Sequence, residues 1–581
     1  MNETIKKQIQ DHLNFIYGSE TAKSVADRLV KQLTNFSRQE PDLAQPSNPN
    51  DRVTEADSIL ITYGDQIQEP GKPPLRSLAE VLEAHLKGAI SSVHILPFYP
   101  YSSDDGFSVM DYKAINPGWG DWQDVALLGQ NFRLMFDAVI NHVSAQGVWF
   151  EKFLNGDPKY ADYFIVVDPS TDLSSVTRPR TTPLLTPFET ATGVKHVWTT
   201  FSADQVDINY ENPDVLLAII DVLLFYVSQG AEFIRLDAIA YMWKEIGSSC
   251  IHLPQVHRII QLFRTVLDGV APNVMLITET NVPHPENISY FGNGENEAQM
   301  VYNFSLPPLI LHTFQTGDAT VMQKWAENLE DLPDTATFFN FIASHDGIGV
   351  RPVEGLLTTP EVQALGDKTL AHGGRVSYKT NSDGSQSPYE LNITLFDALS
   401  DPNSDEPVER QINRFIASQA IMLALVGVPG IYVHSLFGSS NDYAGMAETG
   451  RARTINRQKW LRGELEAVLA NPASRSYQVF QRYVQLLKTR ASSPSFHPNG
   501  SQQIINGNPA FFNLMRTSLD GQERVLCLHN VTDHAQYLEV DLSHLLQSDS
   551  ASDLFTGRMV ILEGGVLRMT IEPYGVRWLA A

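Results

Sequence analysis

The chain has 581 residues, 43% hydrophobic, 19% charged and 10% aromatic, the make-up of a folded protein with a large core; beyond roughly 300 residues surface-to-volume scaling splits chains, so one large domain with satellites is expected. A formal charge of -25 without any Lys/Arg block excludes an extended footprint for nucleic acid or anionic lipid. Two cysteines, Cys250 and Cys527, stand far apart and outside metal-ligand spacing, which excludes a disulfide framework or zinc site and fits a reduced, cytoplasmic setting.

The opening MNETIKKQIQDHLNFIYG is amphipathic and carries Glu3 and Asp11, unlike a signal peptide. No run approaches the roughly 18 uncharged residues of a membrane span. From Glu3 to about Ser37 apolar residues recur at helical spacing (Ile5, Ile9, Leu13, Ile16, then Val25, Leu29, Leu33), predicting two helices. QEPDLAQPSNPNDR then punctuates the chain as a linker. Residues 1–56 are therefore set apart as a helical extension.

From 57 to 493, eight short apolar segments recur: SILITYG, SSVHILPF, FRLMFDAVI, AEFIRLDAI, NVMLITETN, QMVYNFSL, ATFFNFIAS and VPGIYVHS. Amphipathic stretches such as SLAEVLEAHLKGA, VLLAIIDVLLFYVSQG and HRIIQLFRTVLDGV lie between several of them. Alternating strand and helix predicts a parallel sheet covered by helices, and eight strands without a GxGxxG after the first predict a closed (β/α)8 barrel, an α/β fold. Two intervals, about 143–209 and 347–406, are too long and polar for simple loops and predict inserted subdomains. From 494 to 581 alternating segments (AFFNLMRTS, RVLCLHNVT, QYLEVDLS, VLRMTIEP) predict a C-terminal antiparallel β domain.

Barrel enzymes build their sites at the C-terminal ends of the strands. Polar residues there are Asp104 and Asp105 in SSDDGF, Asn141 and His142 in INHVS, Arg235 and Asp237 in IRLDA, Glu279 in ITETN, and His345 with Asp346 in ASHDG. Capping and turn chemistry accounts for an Asp or Asn in such a loop. It does not account for Arg235 and Asp237, two apart on one face of an apolar strand, where an unpaired charge is costly. A structural salt bridge or a ligand would explain the pair.

Asp237, Glu279 and Asp346 each end a different strand. Converging acids could hold a divalent cation or perform glycosyl transfer, one carboxylate attacking the anomeric carbon and a second protonating the leaving oxygen. Asp237 beside Arg235 suits the nucleophile, since a neighbouring cation lowers a carboxyl pKa. Glu279, without an adjacent cation in sequence, suits the protonated acid.

DAVINH (Asp137–His142), IRLDA (Ile234–Ala238), ITET (Ile277–Thr280) and SHDG (Ser344–Gly347), in this order, resemble the four signature regions of the α-amylase superfamily of retaining α-glucosyl enzymes. HILPFYPYSSDDGFSVMDY, SADQVDIN, GSSCIHL, SHDGIGV and RTINR are similar to the sucrose-phosphorylase group within it. The resemblance implies Asp237 as nucleophile, Glu279 as acid/base and Asp346 as transition-state stabiliser, with Asp104, Phe107, His142, Gln205, Arg235, His345 and Arg453 around the glucosyl ring. Asn141 matches a position that helps bind structural calcium in many amylases, an ion that sucrose phosphorylases generally lack; neither a metal nor a cofactor is expected.

Four features resemble the glucosylglycerate phosphorylases: the helical extension, TETNVPHPENISYFG, VTRPRTTPLLTPF, and HGGRVSYKTNSDGSQSPYELN. The expected reaction transfers an α-glucosyl group from glucosylglycerate to inorganic phosphate, giving α-glucose 1-phosphate. Glycerate and phosphate are both anions and need donors; Arg178 and Arg180, with His372, Arg375 and Lys379, are the loop candidates. HGG (His372–Gly374) and SDGS (Ser382–Ser385) provide places where the backbone could rearrange. Sucrose, sucrose 6-phosphate or glucosylglycerol as donor, a plain hydrolase, and a non-catalytic amylase-like carbohydrate-binding barrel remain the alternatives. Nothing in the sequence separates a monomer from a homodimer.

Overall fold

Eight parallel strands close into a barrel: β1 (Ile59–Thr62), β2 (Ser92–Ile95), β3 (Arg133–Val139), β4 (Ala231–Asp237), β5 (Met275–Thr278), β6 (Met300–Tyr302), β7 (Thr337–Asn340) and β8 (Val428–Tyr432). Each pairs with its sequence neighbours, and β1 closes the ring against β8. These are the eight segments expected from the sequence. The computed structural model describes residues 2–180, 182–380, 385–505, 507–545 and 548–581. Apart from Arg133 at the start of β3 and Glu232 in β4, every barrel-strand residue is buried, because the barrel core lies on one side and a helix layer on the other; hence the unbroken apolar runs.

The helices Pro213–Ser228 and Pro254–Val270 flank β4 in sequence. The N-terminal stretch Glu3–Gln39 lies against both. It is helical on either side of Gly18, whose φ of 75° and ψ of 157° bend it; the two predicted helices are thus joined without a loop. Ile9, Leu13, Leu29 and Leu33 are fully buried, Tyr17 Oη donates to the Tyr210 carbonyl at 2.8 Å, and Arg28 meets Asp214 at 2.6 Å. No described helix is long and apolar enough to cross a membrane.

Two connections rise above the C-terminal rim. Between β3 and β4, short strands His142–Ser144 and Gln205–Asp207 pair antiparallel, Ser144 opposite Gln205 and His142 opposite Asp207; the hairpin Leu185–Thr190/Gly193–Trp198 sits between them in sequence. Between β7 and β8, helix Thr359–Ala371 precedes strands Arg375–Thr380 and Gln386–Asn392. The latter also pairs with Ile348–Gly349, placing Glu390 opposite Gly349. Of the SDGS segment, Ser382–Gly384 lie outside the described residues. The C-terminal region folds into a six-stranded antiparallel sheet and a two-stranded one.

Candidate active site

Alternation along β4 sets the floor of the site. Phe233, Arg235 and Asp237 share one face, and the parallel register puts Asp137 of β3 and Ile277 of β5 on either side of Arg235. Arg235 is 2% exposed. Its Nη1 bonds Asp137 and donates to Asp237 Oδ1 at 2.7 Å, while Nη2 lies 3.9 Å from Glu279 Oε2. Asp137 also takes His94 Nε2 at 2.6 Å.

This sharing corrects one expectation. Arg235 does bond Asp237, but burial raises the Asp237 carboxyl and Asp137 adds to that, so the guanidinium, divided between two acids, does not bring it below its ordinary value. Glu279 is pushed up to about 7, first by burial and then by Asp237 and Asp346, against the pull of Arg235. Ala238, at φ 50° immediately after Asp237, turns its N–H onto Glu279 Oε2 at 3.2 Å. A non-glycine residue there carries backbone strain that the bond offsets.

Asp346 behaves oppositely. Burial pushes it up, but Arg453, His345 and Arg457 together hold it well below the usual carboxylate range. Its Oδ1 lies 2.5 Å from Arg453 Nη1 and 3.8 Å from Arg457 Nη2. Arg453 is locked by Glu390, which accepts from Nε at 3.0 Å and Nη2 at 2.6 Å. Such a bidentate fork fixes orientation as well as charge. Glu390 comes from the β7–β8 insertion and was not singled out in the sequence.

On the side facing β2 and β3 the Phe107 carbonyl gathers two side chains. His142 Nε2 lies 2.9 Å from the Phe107 carbonyl, which also accepts from Gln205 Nε2 at 3.0 Å. Phe107 stacks on His345 at 4.8 Å and 2°. Burial lowers the His345 imidazole to about 3 and keeps it neutral. Asp104 and Asp105 both adopt left-handed backbone, φ 52° and 49°, a conformation that Asp tolerates better than most residues. Arg457 bonds Asp105 and donates Nε to the His345 carbonyl at 2.8 Å. Asp105 is thus a brace, and its neighbour Asp104 lines the cleft.

At the Asn141 position, the Lys244 ammonium sits 2.6 Å from Asp207 Oδ2 and 3.3 Å from Asn141 Oδ1, and bonds the Tyr241 carbonyl. One side chain thereby supplies the positive charge these oxygens call for.

The cleft is lined by all three acids together with Asp104, Phe107, His142, Gln205, His345 and Arg453. Arg235 lies beneath, bonded to Asp237. Of the five loop candidates only Arg180 lines it. Arg178 is exposed and bonds the Thr182 carbonyl. His372 is buried at the end of its helix, with Nδ1 2.6 Å from the Asp397 carbonyl. Arg375 bonds the carbonyls of Gly373 and Gly374 at 3.3 and 2.9 Å, and Lys379 pairs with Glu354 at 2.5 Å. Their residue types fit anion binding, but local partners hold these three outside the lining. Tyr241, Asn281, Phe304, Phe341 and Tyr389 line the cleft unforeseen; the aromatic and amide character of the loops was the only signal for them.

The profile of the α-amylase catalytic domain matches residues 84–350, and that of the maltogenic amylase C-terminal domain matches 504–578. A glucosylglycerate phosphorylase of Allomeiothermus silvanus is 50% identical over 575 residues, 99% of this chain and 98% of that protein. A sucrose phosphorylase of Agrobacterium vitis is 30% identical over 474 residues, covering 77% and 89% of the two chains. The crystal structure of sucrose 6F-phosphate phosphorylase from Thermoanaerobacter thermosaccharolyticum superposes with a TM-score of 0.72 at 25% identity, over 84% of this chain and 95% of that one. The chain therefore belongs to the α-amylase family of enzymes, in the group that holds the glucosylglycerate phosphorylases and, at greater distance, the sucrose phosphorylases.

Proposed function

We propose that this protein is a retaining glycoside phosphorylase that cleaves glucosylglycerate with inorganic phosphate to give α-glucose 1-phosphate and glycerate. The observation that carries the reading is Asp237 and Glu279 flanking one guanidinium at the barrel mouth, the second carboxyl raised to about 7. That is the pairing of nucleophile and proton donor that double displacement requires. The substrate rests on the likeness to the phosphorylase of Allomeiothermus silvanus.

In the first step an Asp237 oxygen attacks the anomeric carbon, the bond to the glycerate oxygen breaks, and the Glu279 proton passes to that oxygen. Arg235 engages Oδ1, which leaves Oδ2 for the attack. Asp346, ionised, faces the positive charge that develops on the sugar. In the second step a phosphate oxygen attacks the same carbon, the ester to Asp237 breaks and returns the carboxylate, and Glu279 takes up the proton of the attacking phosphate hydroxyl. Two inversions give net retention. Asp104, His142, Gln205, His345 and Arg453 hold the glucosyl ring in this reading.

The test incubates enzyme and phosphate in parallel with glucosylglycerate, sucrose, sucrose 6-phosphate and glucosylglycerol, and measures glucose 1-phosphate. The highest kcat/KM is expected on glucosylglycerate. A larger value on another donor would transfer the assignment to that donor, and glucose release that ignores phosphate would make the protein a hydrolase.

A further inference from the structure

We propose that Asp204 is a positioning residue of the reaction: its carboxylate fastens the loop Ser102–Ser108 and so sets where Asp104 meets the glucosyl ring. This rests on the reading above, in which Asp104 helps to hold that ring.

The loop has a demanding backbone. Asp104, Asp105 and Gly106 take positive φ in succession, 52°, 49° and 110°. Gly106 has no room for a side chain, since a Cβ there would come within 2.4 Å of the Pro97 carbonyl oxygen. Asp104 and Asp105 are not glycines, and left-handed backbone at such residues persists only where the surroundings over-determine it. The sequence SSDDGFS sets Ser102, Ser103 and Ser108 around them, and all three hydroxyls turn to one oxygen. Asp204 Oδ2 accepts from Ser102, from Ser103 at 2.5 Å and from Ser108 at 2.8 Å. Hydroxyls that donate to an ionised carboxylate make the stronger class of hydrogen bond. The Ser102 N–H donates to the Ser108 carbonyl at 3.2 Å, which closes the loop on itself.

Asp204 is itself held in place. Its carbonyl accepts from the Ala145 N–H at 2.8 Å. Ser102 Oγ lies 2.5 Å from Ser144 Oγ, and Ser144 stands opposite Gln205 in the short strand pair. Asp204 therefore grips both ends of the loop while Gln205, the next residue, takes the Phe107 carbonyl at 3.0 Å. On the far side Arg457 bonds Asp105. Asp104 is carried between these two anchors and lines the cleft, whereas the lining among the described residues omits Asp204. The Asp204 carboxylate thus reaches the sugar through the loop, and a small displacement of a group that orients a reacting ring is felt in the rate.

The experiment is a double-mutant cycle of Asp204→Asn and Asp104→Asn with α-glucosyl fluoride as donor, reading kcat/KM for fluoride release. That constant reports formation of the glucosyl-enzyme alone, so no acceptor enters it. D104N suits the cycle because Asn also tolerates left-handed backbone. D204N should lower kcat/KM about tenfold with Asp104 in place and by less than about twofold in the D104N background. A residue needed only for the fold would cost the same factor in both. Ser103→Ala keeps the carboxylate and removes the tie next to Asp104. It should show a smaller loss, again confined to the background that has Asp104, and it serves alone if D204N does not fold. Wild-type kcat/KM in D204N, equal factors in the two backgrounds, or an S103A indistinguishable from wild type would overturn the proposal. A wild type that releases fluoride but gives no glucose 1-phosphate from glucosylglycerate and phosphate would instead sink the substrate assignment and leave the cycle standing.

Discussion

In the proposed mechanism Glu279 needs two protonation states in one catalytic cycle, and burial beside Asp237 and Asp346 sets the pH at which it exchanges them. With its carboxyl raised from 4.5 to about 7, the acid form dominates below that pH, so the glucosylation step with a glycoside donor should decline as pH rises through about 7. With α-glucosyl fluoride no proton is needed at the leaving group and the decline should vanish; rapid-quench measurement of the first step with both donors checks this. The same shift bears on stability. The folded state binds a proton between pH 4.5 and about 7 that the unfolded state has released, so the folded state is progressively penalised as pH rises across that window, by at most about 3 kcal/mol. Glu279→Gln should flatten this dependence and raise Tm above pH 7.5, read by thermal melts across pH. Asp237 and Glu279 were legible because each stands at the end of an apolar strand where no core needs a charge; Asp346, expected at a strand end, lies six residues beyond β7. Arg235 was legible for the same reason, but its division between Asp137 and Asp237 was not, because Asp137 lies 98 residues away from it and only the strand register brings the two together.

In the proposed mechanism the inserted elements decide how firmly the glucosyl end is held. Strand Gln386–Asn392 pairs with Ile348–Gly349 just beyond Asp346, and this delivers Glu390 to Arg453 across 63 residues of sequence. Replacing Glu390 with Gln keeps the shape and removes the charge, so Arg453 loses its fork and the guanidinium beside Asp346 is free to rotate. A buried cation stripped of one partner costs of the order of 3 kcal/mol, and a loss of 10- to 100-fold in kcat/KM, about 1.4 to 3 kcal/mol, is expected. Because the defect lies on the glucosyl side, transfer to phosphate, glycerate and glycerol should fall by the same factor; glucosyl fluoride turnover with each acceptor, alongside circular dichroism for the fold, checks it. The barrel strands were legible as short unbroken apolar runs and the flanking helices from their periodicity. The insertions were legible as long polar intervals, but the contacts they make were not, since a polar segment carries no period; His372, Arg375 and Lys379 have the residue types for anion binding, yet a helix end and two local partners claim them.

Across the whole molecule the N-terminal stretch acts as a brace on the helices either side of β4, the strand that carries Asp237. Its helical period was readable from Ile9, Leu13, Leu29 and Leu33, but the surface they cover was not, because that surface is assembled from residues some 200 positions further on. Two neighbouring side chains separate the possible sources of its stability. Arg28 pairs with Asp214 while both side chains remain about half exposed, 53% and 42%, and such pairs contribute less than about 1 kcal/mol. Leu29 is fully buried, and truncating a buried leucine costs about 3 kcal/mol from lost burial and the cavity left behind. Leu29→Ala should therefore lower the urea midpoint clearly and Arg28→Ala barely, with both unfolding in one transition. If the stretch instead unfolds ahead of the barrel, Leu29→Ala will leave the main transition in place and loosen only the amide protons of residues 3–39 in hydrogen exchange. In that case the brace is a separable layer and β4 holds its register without it.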